Sequence, residues 1–342
     1  MQYRKLGISN LMVSPICLGT WEFGQSDEWG SGNITEYERV IDSALDAGVN
    51  FIDTAELYGK SEEILGELLK GRRDQVVLAT KIGGYQWDYD TMRNRLEQSL
   101  KRLRTDYVDI YQIHWPKIKG IDHGTCLSDM EEEDYKRISS SMKRLRSEGL
   151  IRTVGVSNFR LHHLMKFEEE SLKDIVCDQV PYSLLWRAYD DPKMLEFCKS
   201  RKLTFLTYSS LAVGMLSGRF AKDTPLAPAQ KANVLFNEPI FSRALKVVEV
   251  VRDVANELDA SPSQVALKWV IDRELTTSAL VGTRNSKNLE EDMEAVSLRL
   301  TREQTDRLDK ASEGFCSLIP PELEMWTWDN NTANLDRIGI KS

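Results

Sequence analysis

The segment Val76-Val77-Leu78-Ala79-Thr80-Lys81 is a short β-branched and apolar run that predicts a strand. An amphipathic stripe follows it from Met92 to Leu103 at helical spacing, and a second strand-like run, Val108–His114, comes next. Strand, helix and strand in this order predict two parallel strands, because a parallel pair needs a crossover connection.

The same alternation continues along most of the chain. Eight strand-like runs are predicted: Val13–Leu18, Val49–Asp53, Val76–Lys81, Val108–His114, Thr153–Ser157, Ile175–Val180, Thr204–Tyr208 and Ser278–Val281. Eight strands alternating with helices favour a closed (β/α)₈ TIM barrel of the α/β class. An open doubly wound sheet fits less well, since no Gly-x-Gly-x-x-Gly follows the first run.

Residues 1–342 are expected to form a single domain, in which three segments exceed the needs of a barrel. They are an N-terminal extension over Met1–Val13, a long loop after the seventh strand over Ala221–Pro239, and a C-terminal tail over Phe315–Ser342. Two helix starts also carry capping boxes, at Thr35 with Glu38 and at Ser261 with Gln264.

Composition narrows the class of protein. The 342 residues include 45 basic and 53 acidic side chains, a formal net charge of −8, which argues against nucleic-acid binding. No apolar run reaches the about 20 residues of a membrane helix, and we expect no membrane association. The five cysteines are scattered and form no Cys-x-x-Cys pair, which favours reduced thiols and a cytoplasmic protein.

Polar residues follow the predicted strands directly. Barrel enzymes carry their active sites at the carboxyl ends of the strands, so these residues are candidates for one site. They are Asp53, Lys81, His114, Ser157, Asn158, Gln179, Tyr208 and the segment Gly282-Thr283-Arg284.

Four residues at these ends suggest acid–base chemistry. Tyr58 lies five positions after Asp53, and Lys81 and His114 end the next two strands. A phenol has an ordinary pKa of about 10, and a neighbouring ammonium would lower that pKa, while a carboxylate would hold the ammonium in place. Such a group would move a proton to or from an oxygen bonded to carbon.

With these motifs together, the sequence resembles the aldo-keto reductase family from about Tyr3 to about Leu300. The resemblance rests on Leu18-Gly19-Thr20-Trp21, Asp53-Thr54-Ala55-Glu56-Leu57-Tyr58-Gly59, Leu78-Ala79-Thr80-Lys81, Ile113-His114-Trp115-Pro116, Val154-Gly155-Val156-Ser157-Asn158-Phe159 and Thr207-Tyr208-Ser209-Ser210-Leu211. It implies that Tyr58 is the general acid of carbonyl reduction, that Lys81 paired with Asp53 lowers its pKa, and that His114 orients the carbonyl.

The resemblance also implies a nicotinamide cofactor, NADPH or NADP⁺, with NADH as the alternative, and a small carbonyl or alcohol substrate. The implied cofactor contacts are Gly19, Thr20, Trp21, Asp53, Ser157, Asn158, Gln179, Tyr208, Ser209, Leu211, Gly218, Gly282, Thr283, Arg284, Asn288, Glu291 and Asp292. Arg284 would pair with a 2′-phosphate. Relatives commonly have a Gln and then a Glu-Asn pair where this chain has Asn288, Glu291 and Asp292, so Asp292 lacks the amide donor.

Aromatic residues near the strand ends predict the substrate pocket. Its candidate residues are Trp21, Tyr58, Trp87, His114 and Trp115, and Phe23 lies nearby. In the tail, Trp326 and Trp328 either close this pocket or pack the tail against the barrel. The pocket suits apolar and sugar-like carbonyl compounds equally well.

One other function stays open on the sequence alone. A nicotinamide-binding regulatory subunit, similar to the β subunits of voltage-gated potassium channels, would keep Tyr58 and turn over little. A long N-terminal extension would favour it, whereas this chain begins almost at its first motif.

A metal-dependent barrel is not expected, because the sequence lacks its ligand cluster. The adjacent His162 and His163 do not face one ion, so no metal site is expected. The sequence leaves the oligomeric state open.

Overall fold

The computed structural model describes residues 1–30, 32–119, 126, 128–169, 174–221, 223–319 and 325–326. A short antiparallel hairpin of β1 (Arg4–Lys5) and β2 (Met12–Val13) comes first. Eight parallel strands then close into a barrel. They are β3 (Ile16–Gly19), β4 (Phe51–Asp53), β5 (Val77–Ile82), β6 (Val108–Ile113), β7 (Ile151–Ser157), β8 (Ile175–Pro181), β9 (Thr204–Tyr208) and β10 (Thr276–Gly282).

Each strand pairs with the next along the chain, and β10 pairs with β3 to close the ring. The helices are α1 (Trp21–Gly24), α2 (Ser26–Trp29), α3 (Ile34–Asp46), α4 (Ser61–Leu68), α5 (Tyr89–Leu103), α6 (Glu132–Ser147), α7 (Leu161–Glu169), α8 (Pro192–Arg201), α9 (Pro228–Lys231), α10 (Ile240–Glu257), α11 (Pro262–Ile271), α12 (Ser286–Met293) and α13 (Arg302–Cys316). The (β/α)₈ barrel expected from the sequence is confirmed. No helix in the described ranges is long and apolar enough to cross a membrane.

Side-chain alternation along the strands divides the core into two parts. On β5, Leu78 and Ile82 belong to the large cluster between the barrel and the helices, whereas Ala79 belongs to a smaller cluster that also takes Phe51 from β4 and Ile110 from β6. Positions two apart on a strand share a face. On each of these strands, the residue two positions after the member of the smaller cluster therefore lies on the same inner face. These residues are the polar strand ends at the carboxyl side of the barrel.

One strand boundary predicted from the sequence is wrong. Val13 lies in β2, where it pairs with Arg4, and the barrel strand begins only at Ile16. Pro15 separates the two strands, because it has no N–H to donate to a ladder. Leu6 and Val13 of the hairpin are buried with the inner cluster of the barrel, so the N-terminal extension packs against the amino end of the barrel.

The predicted helix caps had different outcomes. Helix α11 has the expected capping box between Ser261 and Gln264. Helix α3 instead begins after Asn33, whose side-chain oxygen accepts a hydrogen bond from the Thr35 N–H at 2.9 Å. Asparagine caps at least as well as threonine, and the capping box expected at Thr35 is therefore wrong.

The loop after β9 and the tail meet above the barrel. The loop contains α9 and a 3₁₀ turn at Val234–Phe236. The Val234 N–H donates to the Met325 carbonyl at 3.0 Å, and Asn233 and Trp326 form an isolated antiparallel bridge. The tail thus returns to the barrel at residues 325–326, and Trp328 lies outside the described residues.

We expect Asp109→Ala to lower the free energy of unfolding. Asp109 is buried near the amino end of β6, where its carboxylate accepts from Arg73 and Arg152 at 2.8 and 2.7 Å and from the Leu78 N–H at 2.9 Å. Removing it leaves buried donors unpaired, which costs about 2–4 kcal/mol. Denaturant unfolding measures this loss, and the exposed Asp106→Ala is the control. An unchanged midpoint for Asp109→Ala would contradict the assignment.

Candidate active site

One cavity of about 970 Å³ opens at the carboxyl ends of the barrel strands. Its floor includes Gly19 and Gly282, which face each other across the β3–β10 pairing, and its walls come from the loops that follow the strands. This is where barrel enzymes place their chemistry. Among the candidates from the sequence, the cavity is lined by Gly19, Thr20, Trp21, Asp53, Tyr58, His114, Trp115, Ser157, Asn158, Gln179, Tyr208, Ser209, Leu211, Gly282, Thr283, Arg284, Asn288 and Asp292.

The ammonium of Lys81 organises the reactive end of this cavity. Its side chain is fully buried, and Nζ donates to Asp53 Oδ2 at 2.6 Å, to the Thr54 carbonyl at 2.9 Å and to the Tyr58 hydroxyl at 3.2 Å. These three contacts use all three N–H groups of an ammonium. Lys81 therefore ties the carboxylate and the phenol together in a fixed geometry.

The other oxygen of Asp53 accepts two side-chain amides. Gln179 Nε2 donates to Oδ1 at 2.8 Å, and Gln112 Nε2 donates to it at 3.3 Å. The sequence analysis missed Gln112. Its position contained the signal, because Gln112 is two residues before His114 on one strand and pairs in register with Lys81.

The pKa values of this group follow from burial and from the Lys81–Asp53 pair. Burial raises the pKa of Tyr58, and the opposing effect of the Lys81 charge does not overcome it. The lowering effect of Lys81 that the sequence predicts is therefore present, but burial outweighs it and the net pKa of Tyr58 is raised, not lowered. Burial lowers the pKa of Lys81, but Asp53 and Tyr58 together raise it above its ordinary value. The resulting state is a protonated phenol beside an ammonium.

His114 lies on the other side of the phenol. Its ring meets the Tyr58 ring edge to face, with centroids 5.7 Å apart. Burial, and then the Lys81 charge, hold the pKa of His114 well below its ordinary value, so the imidazole is neutral. Its Nδ1 is buried without a hydrogen-bond partner in the described part of the chain. A neutral imidazole can donate one N–H to an oxygen held against Tyr58.

Asp53, Tyr58, Lys81 and His114 are called the tetrad below. Three further candidates form a hydrogen-bonded chain beside it. The Tyr208 hydroxyl donates to Asn158 Oδ1 at 2.8 Å, and Asn158 Nδ2 donates to the His114 carbonyl and to Ser157 Oγ, each at 3.1 Å. Ser157 Oγ in turn donates to the Gln179 carbonyl at 2.8 Å. Asn158 has a φ of 67°, a left-handed conformation that asparagine tolerates better than most residues. The polar groups at the ends of β7, β8 and β9 are thus held as one unit.

Several charged residues lie at the far end of the cavity, on α12 and on the segments next to it. Arg284 Nη1 donates to the Gly30 carbonyl at 2.9 Å, and Arg219 Nη2 contacts Asn288 Oδ1 at 3.5 Å. Burial, and then the nearby charge of Glu291, raise the pKa of Asp292 to about 7. Burial likewise raises the pKa of Glu22 to about 7, against the charge of Arg284.

Four predicted site residues do not line the cavity, and Lys81 is one of them, since it is fully buried beneath Asp53 and Tyr58. Trp87 is 2% exposed and packs in the core against Tyr85, with Lys117 Nζ 5.3 Å from its ring centre. Its expected place in the substrate pocket is wrong, because its side chain is turned towards the helices. Gly218 lies beside the cavity, where its carbonyl accepts from Arg252, and the Glu291 carbonyl accepts from Gln264 at 3.0 Å.

Indole rings surround the entrance beyond Tyr58. Trp21 meets Trp29 and Trp326 edge to face, with ring centroids 5.2 and 5.4 Å away, and Trp115 lines the same end. The structure shows both roles that the sequence left open for Trp326: it lines the cavity, and it packs the tail against the large core cluster through its bridge with Asn233. Phe23 is buried below this layer, stacked on Tyr37 at 4.2 Å.

Over the described ranges, no group of three or more His, Cys, Asp or Glu side chains is placed to hold a metal ion. His162 and His163 stack on each other, with centroids 3.9 Å apart, outside the cavity. All five cysteines are free thiols.

Comparison with known proteins places this geometry in context. The model of the aldo/keto reductase family matches residues 15–313. The aldo-keto reductase YhdN of Bacillus subtilis is 33% identical over 347 aligned residues, which cover 95% of this chain and 99% of the relative.

Solved structures agree with the barrel. The glycerol dehydrogenase AKR11B4 of Gluconobacter oxydans superposes with a TM-score of 0.79 at 26% identity, covering 94% of this chain and 99% of that one. The thermostable aldo-keto reductase Tm1743, solved with the inhibitor epalrestat, gives a TM-score of 0.70 at 28% identity, covering 91% of this chain and 100% of that one.

We expect Asp292→Asn to stabilise the protein increasingly as pH rises from 5 to 8. Because burial raises the pKa of Asp292 from 3.8 to about 7, the folded state retains a proton that the unfolded state releases. The parent protein therefore loses stability progressively up to about pH 7, because the unfolded state ionises while the folded state holds its proton, and the variant should gain about 1–3 kcal/mol over this range. Thermal unfolding of both proteins at several pH values measures the difference. The exposed Glu303→Gln is the control, and a pH-independent difference for Asp292→Asn would contradict the shift.

Proposed function

The chain belongs to the aldo/keto reductase family, and from that premise we propose that it reversibly reduces an aldehyde or ketone to an alcohol with NADPH. The observation that carries the proposal is the buried Lys81 ammonium bonded to both Asp53 and Tyr58 at the floor of a large cavity. The proposal includes a cytoplasmic location, which the five free thiols support.

The cavity fits a dinucleotide. Gly19 and Gly282 face each other on its floor, and a methyl group on Gly282 would lie only 3.3 Å from a Glu22 oxygen. The loop after β9 turns through left-handed residues at Ser209 and Ala212, and turns of this kind direct backbone N–H groups towards anions. The nicotinamide would lie against Tyr208, and the pyrophosphate would follow this loop.

The amide groups near the tetrad have fixed roles towards a nicotinamide. Gln179 Nε2 is engaged by Asp53, which leaves Oε1 to accept from a carboxamide N–H. Asn158 and Ser157 hold the opposite side of that group. When bound, the cofactor supplies the hydride that reduces the carbonyl carbon.

The tetrad handles the proton and the carbonyl oxygen. In the reduction, Tyr58 gives its hydroxyl proton to the carbonyl oxygen, and the raised pKa of the buried phenol keeps that proton in place until the oxygen gains charge. Lys81 stabilises the phenolate that results, and Asp53 holds Lys81. His114, neutral and fixed beside Tyr58, donates to the same oxygen and orients the substrate.

This arrangement favours an enzyme over a regulatory subunit. A protein that only bound nicotinamide would need Tyr208 and the amide groups, but it would not need a buried ammonium fixed against a phenol. Burying such a charge costs several kcal/mol unless it is fully paired, and no binding role requires it here. The names of the relatives, reductases and a glycerol dehydrogenase, agree with carbonyl and alcohol chemistry.

We expect Tyr58→Phe to reduce kcat by about 10²–10⁴-fold, because it removes the general acid. Cofactor affinity should stay unchanged, since the ring and its packing against Trp21 remain. The measurement is the loss of NADPH absorbance with a panel of aldehydes, ketones and sugars, together with a fluorescence titration of the cofactor. Tight NADPH binding with no turnover by the parent protein on the whole panel would favour the regulatory subunit.

We expect NADPH to bind at least about tenfold more tightly than NADH, because Arg284, which lines the cavity, would form charge-assisted hydrogen bonds with a 2′-phosphate. Arg284→Ala should lose most of this preference by weakening NADPH alone. Dissociation constants for both cofactors, with the exposed Lys287→Ala as the control, measure the effect. Equal constants for the two cofactors in the parent protein would rule out this role.

A further inference from the structure

One carboxylate stands among the indole rings at the substrate end of the cavity. Glu28 lines the cavity together with Trp21, Trp29 and Trp326. It is close enough to Tyr58 that its charge contributes to the raised pKa of the phenol. The substrate end therefore combines an aromatic wall with a single acidic group on the open side of the tetrad.

Glu28 is poorly paired for a half-buried acid. Its Oε2 atom is buried and has no hydrogen-bond partner. The Trp21 indole N–H donates to the carboxylate. No ion pair to Glu28 is present in the part of the chain that the structure describes. A carboxylate removed from water without enough donors is costly, so this site gains from any group that brings donors to it.

The basic residues of the cavity do not neutralise Glu28. The two arginines in the described lining are engaged elsewhere, Arg284 with the Gly30 carbonyl and the charge of Glu22, and Arg219 with Asn288. His114 is neutral. Among the lining residues that the structure describes, an anionic group that enters beside Tyr58 therefore meets an acidic side chain and no unpaired cation.

We propose that Glu28 selects substrates by charge, so that the site takes carbonyl compounds bearing an ammonium group or no charge and disfavours those bearing a carboxylate or phosphate. The proposal rests on the reductase function above and specifies its substrate class. An ammonium group would pair with Glu28 and lie against indole faces, an arrangement that favours cations. The terminal torsion of a glutamate is broad, so either oxygen can turn towards the ligand.

The test uses three para-substituted benzaldehydes that differ in charge: the carboxylate, its neutral methyl ester and the trimethylammonium compound. We expect the parent protein to show a kcat/KM for the cation at least about tenfold above that for the anion, since like-charge contacts are strongly unfavourable at close range. The substituents also change the reactivity of the aldehyde, so the deciding quantity is the change in this ratio upon mutation.

Glu28→Gln keeps the size of the side chain and removes its charge. We expect it to reduce the cation-to-anion ratio by about tenfold, mainly through KM, with the neutral ester little affected. Asp27→Asn removes one charge from the same helix outside the cavity, and it should leave the ratio within about twofold of the parent value. The inhibition constants of the three matching benzyl alcohols test recognition apart from the chemical step.

The outcomes separate this proposal from the reductase function. Turnover of all three aldehydes with a ratio that Glu28→Gln does not change overturns the selection by charge and leaves the reductase intact. Parallel changes in Glu28→Gln and Asp27→Asn also overturn it, because they would show a general field effect. No turnover of any aldehyde, with cofactor bound, would count against the reductase function itself.

Discussion

The site depends on one buried ammonium. Lys81 is fully enclosed in the barrel, and its charge is tolerated because Asp53, Thr54 and Tyr58 accept all three of its N–H groups. That pairing requires β4 and β5 to be neighbours in the register that places Asp53 opposite Ala79, two residues before Lys81. A slip of one residue would turn Lys81 out of the barrel. The strand pairing and the chemistry therefore constrain each other.

The same alternation explains why the polar residues meet. Ala79, Ile110 and Cys177 belong to the apolar inner cluster, and Lys81, Gln112 and Gln179 lie two positions later on the same strands. The inner face is thus apolar at its lower level and polar at the level above it. At the polar level the side chains meet across the interior of the barrel, where Gln112 from β6 and Gln179 from β8 both donate to Asp53 on β4.

Sequence patterns could predict the barrel strands and the residues at their ends, because alternate residues of a strand lie on the same face. All eight barrel strands and the tetrad at their ends were accessible from periodicity and motifs, and the same alternation could have revealed Gln112. The patterns failed where the chain leaves the strands. Trp87 and Trp115 both lie in loops that follow strand ends, Trp87 five residues after β5 and Trp115 two residues after β6. The direction of a loop side chain is set by tertiary packing, and Trp87 enters the core. The barrel contact of Trp326 arises from a bridge to Asn233, 93 positions away, which no local pattern encodes.

This division separates the chemistry from selectivity. Asp53 and Lys81 lie on barrel strands, His114 directly follows one, and Tyr58 lies in the loop after β4. The substrate end is built from α1, α2, the loops after β6 and β9, and the tail. Trp21 joins the two parts. The preceding residue, Thr20, is buried and donates from its hydroxyl to the Asp53 carbonyl at 2.8 Å, so the Trp21 ring is fixed relative to the tetrad, and Trp29 and Trp326 pack against it. Residues further from Thr20, such as Glu28, can therefore change without disturbing the Lys81–Asp53 pair, and a barrel of this design can acquire new substrates while its proton transfer stays the same.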